Sequence, residues 1–293
     1  MSLPSKDSHA RDLAQVERAN ADGRVPVVFV HGLWLLPTSW ERWAAVFEEA
    51  GFVPVLPGWP DDPETVGEAN AHPEVFAGKN VGQVADHFSD LVRKLEHAPV
   101  VVGHSFGGLI TQILAGRGLS RASVAIDPAP FRGVLPLPLS SLRAAGAVLG
   151  NPANYHRAVP LTYEQFRYSF ANAVSEAEAR ELYDTFAVPA PGEPLFQAAA
   201  ANVNPWTEVR VDTLAADRGP LLIISGEKDH TVPWAIANAS YKKQLRNKAA
   251  VTEIVEMAGR GHALTIDSGW REVAGTALAF LRRHVDTGHT PHG

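Results

Sequence analysis

The segment Gly103-His104-Ser105-Phe106-Gly107, followed by Gly108, holds a serine between glycines in the pattern G-x-S-x-G. That pattern points to nucleophilic catalysis. A serine on a sharp, strained strand-to-helix turn lifts its oxygen clear of the backbone, and side chains at 103 and 107 would strike neighbouring main chain there. The N-terminus of a following helix adds a positive dipole end and free N–H groups. Serine is a weak nucleophile and needs a base. Of the 12 histidines, His262 in GRGHALTID falls after the last predicted strand and before the last predicted helix. Gly259 and Gly261 allow its loop to fold over the serine. His104 is read as pointing away from the site, His31 as a strand-end residue, and His72, His87 and His97 as loop or surface residues.

The third member should be a carboxylate at a strand end. Asp229 closes LLIISGEKD and keeps the chain order Ser, Asp, His. It would hold the His262 tautomer and stabilise the imidazolium. Asp127, ending AIDPAP, is the rival acid; its other reading is a turn residue before Pro128. An oxyanion hole needs two N–H donors. Phe106, after the nucleophile, supplies one, and Leu33 in HGLW (31–34) the other, with Trp34 as alternative.

These groups require strands that end beside one another. VPVVFV (25–30), FVPVLP (52–57), PVVVGHS (99–105), ASVAID (122–127), PLLIISGEKD (220–229) and VTEIVEM (251–257) are short apolar runs suited to strands buried on both faces. Helical patterns alternate with them at 38–50, 80–95, 107–116 and 268–284, with Thr38 or Ser39 as a cap and Gly51 as a stop for the first. The expected fold is α/β, a mostly parallel doubly wound sheet with an inserted helical cap. The expected division is an N-terminal, helical extension at 1–24, a core at 25–130 and 213–285, the cap at 131–212 and a disordered tail at 286–293.

The motifs V-x-F-V-H-G at 27–32, G-H-S-F-G-G at 103–108, G-E-K-D-x-x-V-P at 226–233 and G-H at 261–262 together resemble the α/β-hydrolase superfamily. The resemblance covers about 25–130 and 213–285. It implies a triad hydrolase with a variable cap. The chain departs from it in two places: no antiparallel strands are evident at the N-terminus, and the loop after LPGWP lacks the usual glycine-rich pattern. Ser105 stands where haloalkane dehalogenases and epoxide hydrolases of that superfamily carry Asp, which disfavours those chemistries.

Composition narrows the class. Net charge is −6 with no basic cluster, so no nucleic-acid partner is expected. No apolar run is long enough to span a membrane and no signal-peptide core is present, so a cytoplasmic enzyme is expected. The absence of cysteine excludes disulfides, thiolate metal sites and a cysteine nucleophile. No metal-ligand spacing and no dinucleotide fingerprint appear, and no cofactor is expected. Trp34, Trp59, Phe131 and Leu135, with Leu35 and Leu137, are candidates for an apolar substrate pocket, or for core and cap packing. Arg132, Tyr163, Arg167 and Tyr168 are polar residues of the cap, read as surface groups or carbonyl binders. The expected reaction is hydrolysis of a small-molecule carboxylic ester, lactone or thioester through an acyl-enzyme. The alternatives are C–C bond hydrolysis or cofactor-free perhydrolysis by the same triad, or a ligand-binding receptor on this fold. The sequence leaves the oligomeric state open.

Overall fold

The computed structural model describes residues 5–287; the tail expected at 286–293 lies, from residue 288 on, outside them. The apolar runs form β1 (Pro26–Val30), β2 (Val53–Val55), β3 (Val100–His104), β4 (Ala122–Ile126), β7 (Leu221–Gly226) and β8 (Thr252–Met257). Two-residue strands β5 (Ala158–Val159) and β6 (Ala190–Pro191) pair antiparallel in a separate ribbon. The main sheet runs β2-β1-β3-β4-β7-β8 and is parallel throughout. Every residue of β1, β3, β4 and β7 is buried, which explains why these strands read as unbroken apolar runs.

Eleven helices cover the described residues: α1 (Ser5–Asp22), α2 (Glu41–Glu49), α3 (Val66–Ala71), α4 (Val81–Val92), α5 (Phe106–Gly116), α6 (Leu139–Leu149), α7 (Tyr163–Ser169), α8 (Glu176–Phe186), α9 (Glu193–Ala200), α10 (Trp234–Gln244) and α11 (Trp270–His284). The sheet has a core on each face. Phe29, Trp43 and Phe47 join Val273 and Phe280 of α11 on one side, and Val28, Val30, Phe88 and Leu109 cluster on the other. The doubly wound arrangement follows from burying both faces. Between β4 and β7 the chain leaves the sheet, forming α6 to α9 and the β5–β6 ribbon. None of the helices among the described residues is long and apolar enough to cross a membrane.

Local signals set several helix starts. Thr65 with Glu68, Asn80 with Gln83 and Thr162 with Gln165 form reciprocal capping boxes at α3, α4 and α7. Thr38 and Ser39 do not cap α2. Pro37 opens a 3-10 turn over Pro37–Trp40, and the Ser39 hydroxyl donates to the Leu36 carbonyl at 2.7 Å. Gly51, at φ 92°, ends α2 in a backbone region that favours glycine.

The exposed side of the edge strand β2 is covered by α1, which takes the place of further strands. Gln15 of α1 receives the Leu56 N–H on Oε1 at 2.7 Å and donates Nε2 to the Leu56 carbonyl at 3.1 Å. One side-chain amide thus copies the pairing of a neighbouring strand and blunts the edge.

Strand order reverses between β1 and β3: β2 lies to one side of β1, and β3 and β4 to the other. In open parallel sheets this switch leaves a crevice at the carboxyl ends of the strands. The loop after β1 carries HGLW and the loop after β3 carries Ser105, so both flank that crevice.

Candidate active site

Ser105 sits between β3 and α5 at φ 57° and ψ −121°. Such a conformation costs about 1–3 kcal/mol and persists only when the surroundings enforce it. Here the main chain does so. The Ser105 N–H donates to the Ile126 carbonyl at 2.9 Å, and its carbonyl accepts from Ala129 at 2.9 Å and Leu109 at 3.1 Å. The flanking glycines are required sterically. A Cβ on Gly103 would lie 2.2 Å from the Gly107 carbonyl oxygen, and one on Gly107 would lie 2.0 Å from that of Val30.

Asp229 and His262 meet. Nδ1 of His262 lies 2.6 Å from Oδ2 of Asp229, and both side chains are fully buried. The other carboxylate oxygen, Oδ1, accepts the N–H groups of Thr231 at 2.6 Å and Val232 at 2.9 Å. Burial alone would raise the Asp229 carboxyl, but the charge and hydrogen bond of His262 and the other donors outweigh it and hold the group below the usual carboxylate range. Nε2 of His262 has no hydrogen-bond partner. With Nδ1 committed to a carboxylate, Nε2 is the nitrogen free to take a proton.

His104 lies closer to this pair than the sequence suggested. Its ring centroid is 4.5 Å from that of His262, it is buried, and neither ring nitrogen has a partner. Burial first, then the neighbouring His262, pushes His104 well below the ordinary histidine range, so it stays neutral. Asp127, the rival acid, stands 3.9 Å from His262 Nδ1 through Oδ2. Burial, then the adjacent Asp229, raises Asp127 well above the usual range. His104, Asp127 and His262 bring possible ligand atoms within 4.8 Å of one another. Of the His262 nitrogens, Nδ1 is engaged by Asp229 and Nε2 is unpaired.

Phe106 is the first residue of α5, where an N–H has no partner within the helix. Leu33 is buried in the turn after β1, and among the described hydrogen bonds its N–H meets no acceptor. Gly32 passes so close to Ser105 that a Cβ there would lie 2.8 Å from the Ser105 Cβ. Trp34 adopts φ 64° and is buried in the core, with its indole N–H donating to the Val159 carbonyl at 2.9 Å. Beneath this loop His31 presents Nδ1 to the Gly32 carbonyl and Nε2 to Asp62, each at 2.9 Å. Asp62 also accepts from the Trp59 N–H at 2.9 Å and pairs with Lys79 at 3.2 Å.

A cavity of about 170 Å³ opens at Ser105. That is more than ten times the space one water needs, which is about 10–15 Å³. Trp34 and Phe106 line it, with Leu142 and Ala145 of α6, Leu195 and Ala198 of α9, and Val232. Its polar groups are serine and threonine hydroxyls, with no charged side chain. Of the other pocket candidates, Leu137 lines the cavity, whereas Trp59, Phe131 and Leu135 do not. Trp59 stacks on His31 behind the 31–34 loop, Phe131 is packed in the core, and Leu135 is 74% exposed. Leu35 is core as well. Arg167 and Tyr163 bind Glu176, Arg132 binds the Pro205 carbonyl, and Tyr168 packs on His230. The wall built from α6 and α9 had no sequence signal beyond small residues at helical spacing.

Comparison with solved structures finds the same fold at low identity. A monoacylglycerol lipase from Paleococcus ferrophilus matches at TM-score 0.60 and 18% identity, over 89% of this chain and 95% of that one. A bromoperoxidase from Bacillus anthracis matches at 0.61 and 19%, over 88% and 92%. The methylesterase MES16 from Arabidopsis matches at 0.58 and 15%, over 88% and 98%. A family model described as the alpha/beta hydrolase family matches residues 27–276. With that match and the parallel sheet carrying Ser105 at its switch point, the chain belongs to the alpha/beta hydrolase family.

Proposed function

We propose that this protein hydrolyses an uncharged carboxylic ester, or a lactone or thioester, through an acyl-enzyme on Ser105. The observation that carries the reading is the Asp229–His262 hydrogen bond of 2.6 Å, which leaves Nε2 of His262 unpaired in the buried cluster beside the serine turn. In this mechanism Nε2 takes the Ser105 proton as Oγ attacks the ester carbonyl. Asp229 stabilises the imidazolium without itself taking the proton. The N–H groups of Phe106 and Leu33 receive the developing oxyanion, each contributing about 3 kcal/mol. His262 then protonates the leaving alcohol, and water repeats the sequence on the acyl-enzyme.

Residues 131–212 serve as the cap in this reading. The support is that α6 and α9 supply cavity wall, and that Phe170 lies against the His262 ring at 4.9 Å. The uncharged apolar wall favours a substrate with a hydrocarbon arm over a charged one.

The test is hydrolysis of p-nitrophenyl esters of graded chain length by wild type and Ser105→Ala. Activity in the wild type and its loss in a folded mutant, with parallel loss of fluorophosphonate labelling, supports the reading. A wild type that turns over no ester but cleaves a diketone or forms a peracid would move the assignment to C–C hydrolysis or perhydrolysis. Tight ligand binding without any turnover would move it to a receptor.

A further inference from the structure

Two buried carboxyl groups, not one, face the Nδ1 side of His262. Asp127 leaves the end of β4 at φ 40°, and Asp229 follows β7; neither side chain is exposed to solvent. Both carboxyls reach toward one nitrogen, Asp229 Oδ2 at 2.6 Å and Asp127 Oδ2 at 3.9 Å from His262 Nδ1, and two buried carboxylates gathered there cannot both ionise, so the pair shares a proton. Donor counts decide which group keeps it. Asp229 faces the Thr231 and Val232 N–H groups and the His262 ring. Asp127 receives only the Gly226 N–H, at 2.7 Å on Oδ1, and its Oδ2 has no hydrogen-bond partner. The anion therefore belongs on Asp229 and the proton on Asp127. The neighbouring Asp229 acts in that same direction, raising Asp127 after burial has done so. The remaining titratable group of the cluster, His104, is neutral and contributes no countercharge.

We propose that Asp127 is a positioning residue: a protonated carboxyl that donates to Asp229 and fixes its orientation, and that supplies the carboxylate to His262 when Asp229 is neutralised. The second role follows from distance. Asp127 Oδ2 is 3.9 Å from His262 Nδ1, and a shift of about 1 Å would bring it into hydrogen-bond range. To serve so, Asp127 must first release its proton to solvent, and an Asp229→Asn enzyme would gain activity as pH rises.

The proposal rests on the serine-hydrolase reading for its kinetic test and is independent of it for its spectroscopic one. Fluorophosphonate labelling of Ser105 and ester turnover are followed in four variants. Asp127→Ala should lower kcat with KM held, and Asp127→Asn should restore it, because an amide N–H donates where the acid O–H did. Asp229→Asn should lose less than the roughly 10⁴-fold that follows neutralisation of a lone triad acid. Asp127→Asn/Asp229→Asn should lose the remainder, and the single Asp229→Asn mutant should show a pH profile displaced upward. Equal rates for Asp229→Asn and the double mutant, or a failure of Asp127→Asn to restore Asp127→Ala, would overturn the proposal. If the wild type neither labels nor hydrolyses esters, the functional reading fails separately. The infrared carbonyl band of a protonated carboxylic acid, present in wild type at neutral pH and missing in Asp127→Asn, then decides the protonation of Asp127; its absence from the wild type overturns the proposal.

Discussion

Oδ2 of Asp62 lies 2.9 Å from Nε2 of His31, and through that contact a buried carboxylate braces the loop that carries Gly32 and Leu33. Burial would raise Asp62, but the Lys79 charge, the His31 contacts and the Trp59 N–H outweigh it and hold the carboxyl below its usual range. A lowered folded-state value means stability that is fully present above the unfolded carboxylate value of about 3.9 and lost as pH falls through the folded one. Asp62→Ala should cost about 3–5 kcal/mol, since it leaves the Lys79 ammonium buried and unpaired. Urea unfolding at neutral pH measures that loss. Repeating it on acidification should show the gap between wild type and mutant closing, whereas a gap independent of pH would contradict the ion-pair origin.

Gly32 tests how closely the two loops at the switch point must approach. A Cβ there would sit 2.8 Å from the Ser105 Cβ and 2.9 Å from the His104 carbonyl oxygen, so one loop has to retreat. Displacing one oxyanion donor costs about 3 kcal/mol in the transition state, roughly a hundredfold in rate. Gly32→Ala should therefore lower kcat by that order while KM changes little. A rise in KM at constant kcat would place the damage in substrate binding instead.

What the sequence revealed and what it hid divide along physical lines. Gly103, Gly107 and Gly32 were legible because only glycine tolerates the contacts made there, and Asp229 and His262 because strand ends deliver them in chain order. The strands were legible because burial on both faces removes polar alternation. Trp59 and Phe131 were read as pocket or core residues, because aromatic residues near strand ends serve either; one stacks on His31 and the other packs in the core. Ala145 and Ala198 were invisible because a small residue announces nothing until a cavity lies beside it. The neighbourhood of His104 and His262 arises from two loops joined only through the sheet, which no local pattern encodes.

Gln15 offers a measure of edge protection. Its amide makes both a donor and an acceptor contact with the Leu56 backbone. Two such bonds contribute about 1 kcal/mol each. Gln15→Ala should destabilise the fold by about 2 kcal/mol in urea, with activity per folded molecule retained, because the site lies at the opposite side of β1. Gln15→Glu should be worse at neutral pH than at acid pH, since a carboxylate cannot donate to the Leu56 carbonyl. Hydrogen exchange at Leu56 gives the local readout, and unchanged protection there would rule out the contact as a source of stability.

The chain-length preference should be written in the alanines of α6 and α9. Ala145 and Ala198 line the cavity from facing helices, and its volume of about 170 Å³ leaves room for a hydrocarbon arm of several carbons. Ala145→Leu or Ala198→Leu adds three carbons to the wall and removes that much room. Both substitutions suit helices, so α6 and α9 should persist. The expected result is a shift of the p-nitrophenyl ester optimum to shorter chains. KM should rise steeply for long esters, while kcat on the acetate and labelling by a small fluorophosphonate stay close to wild type. Opposite behaviour, with all chain lengths slowed alike, would mean that the substrate arm lies elsewhere and that the leucine acts by displacing Ser105.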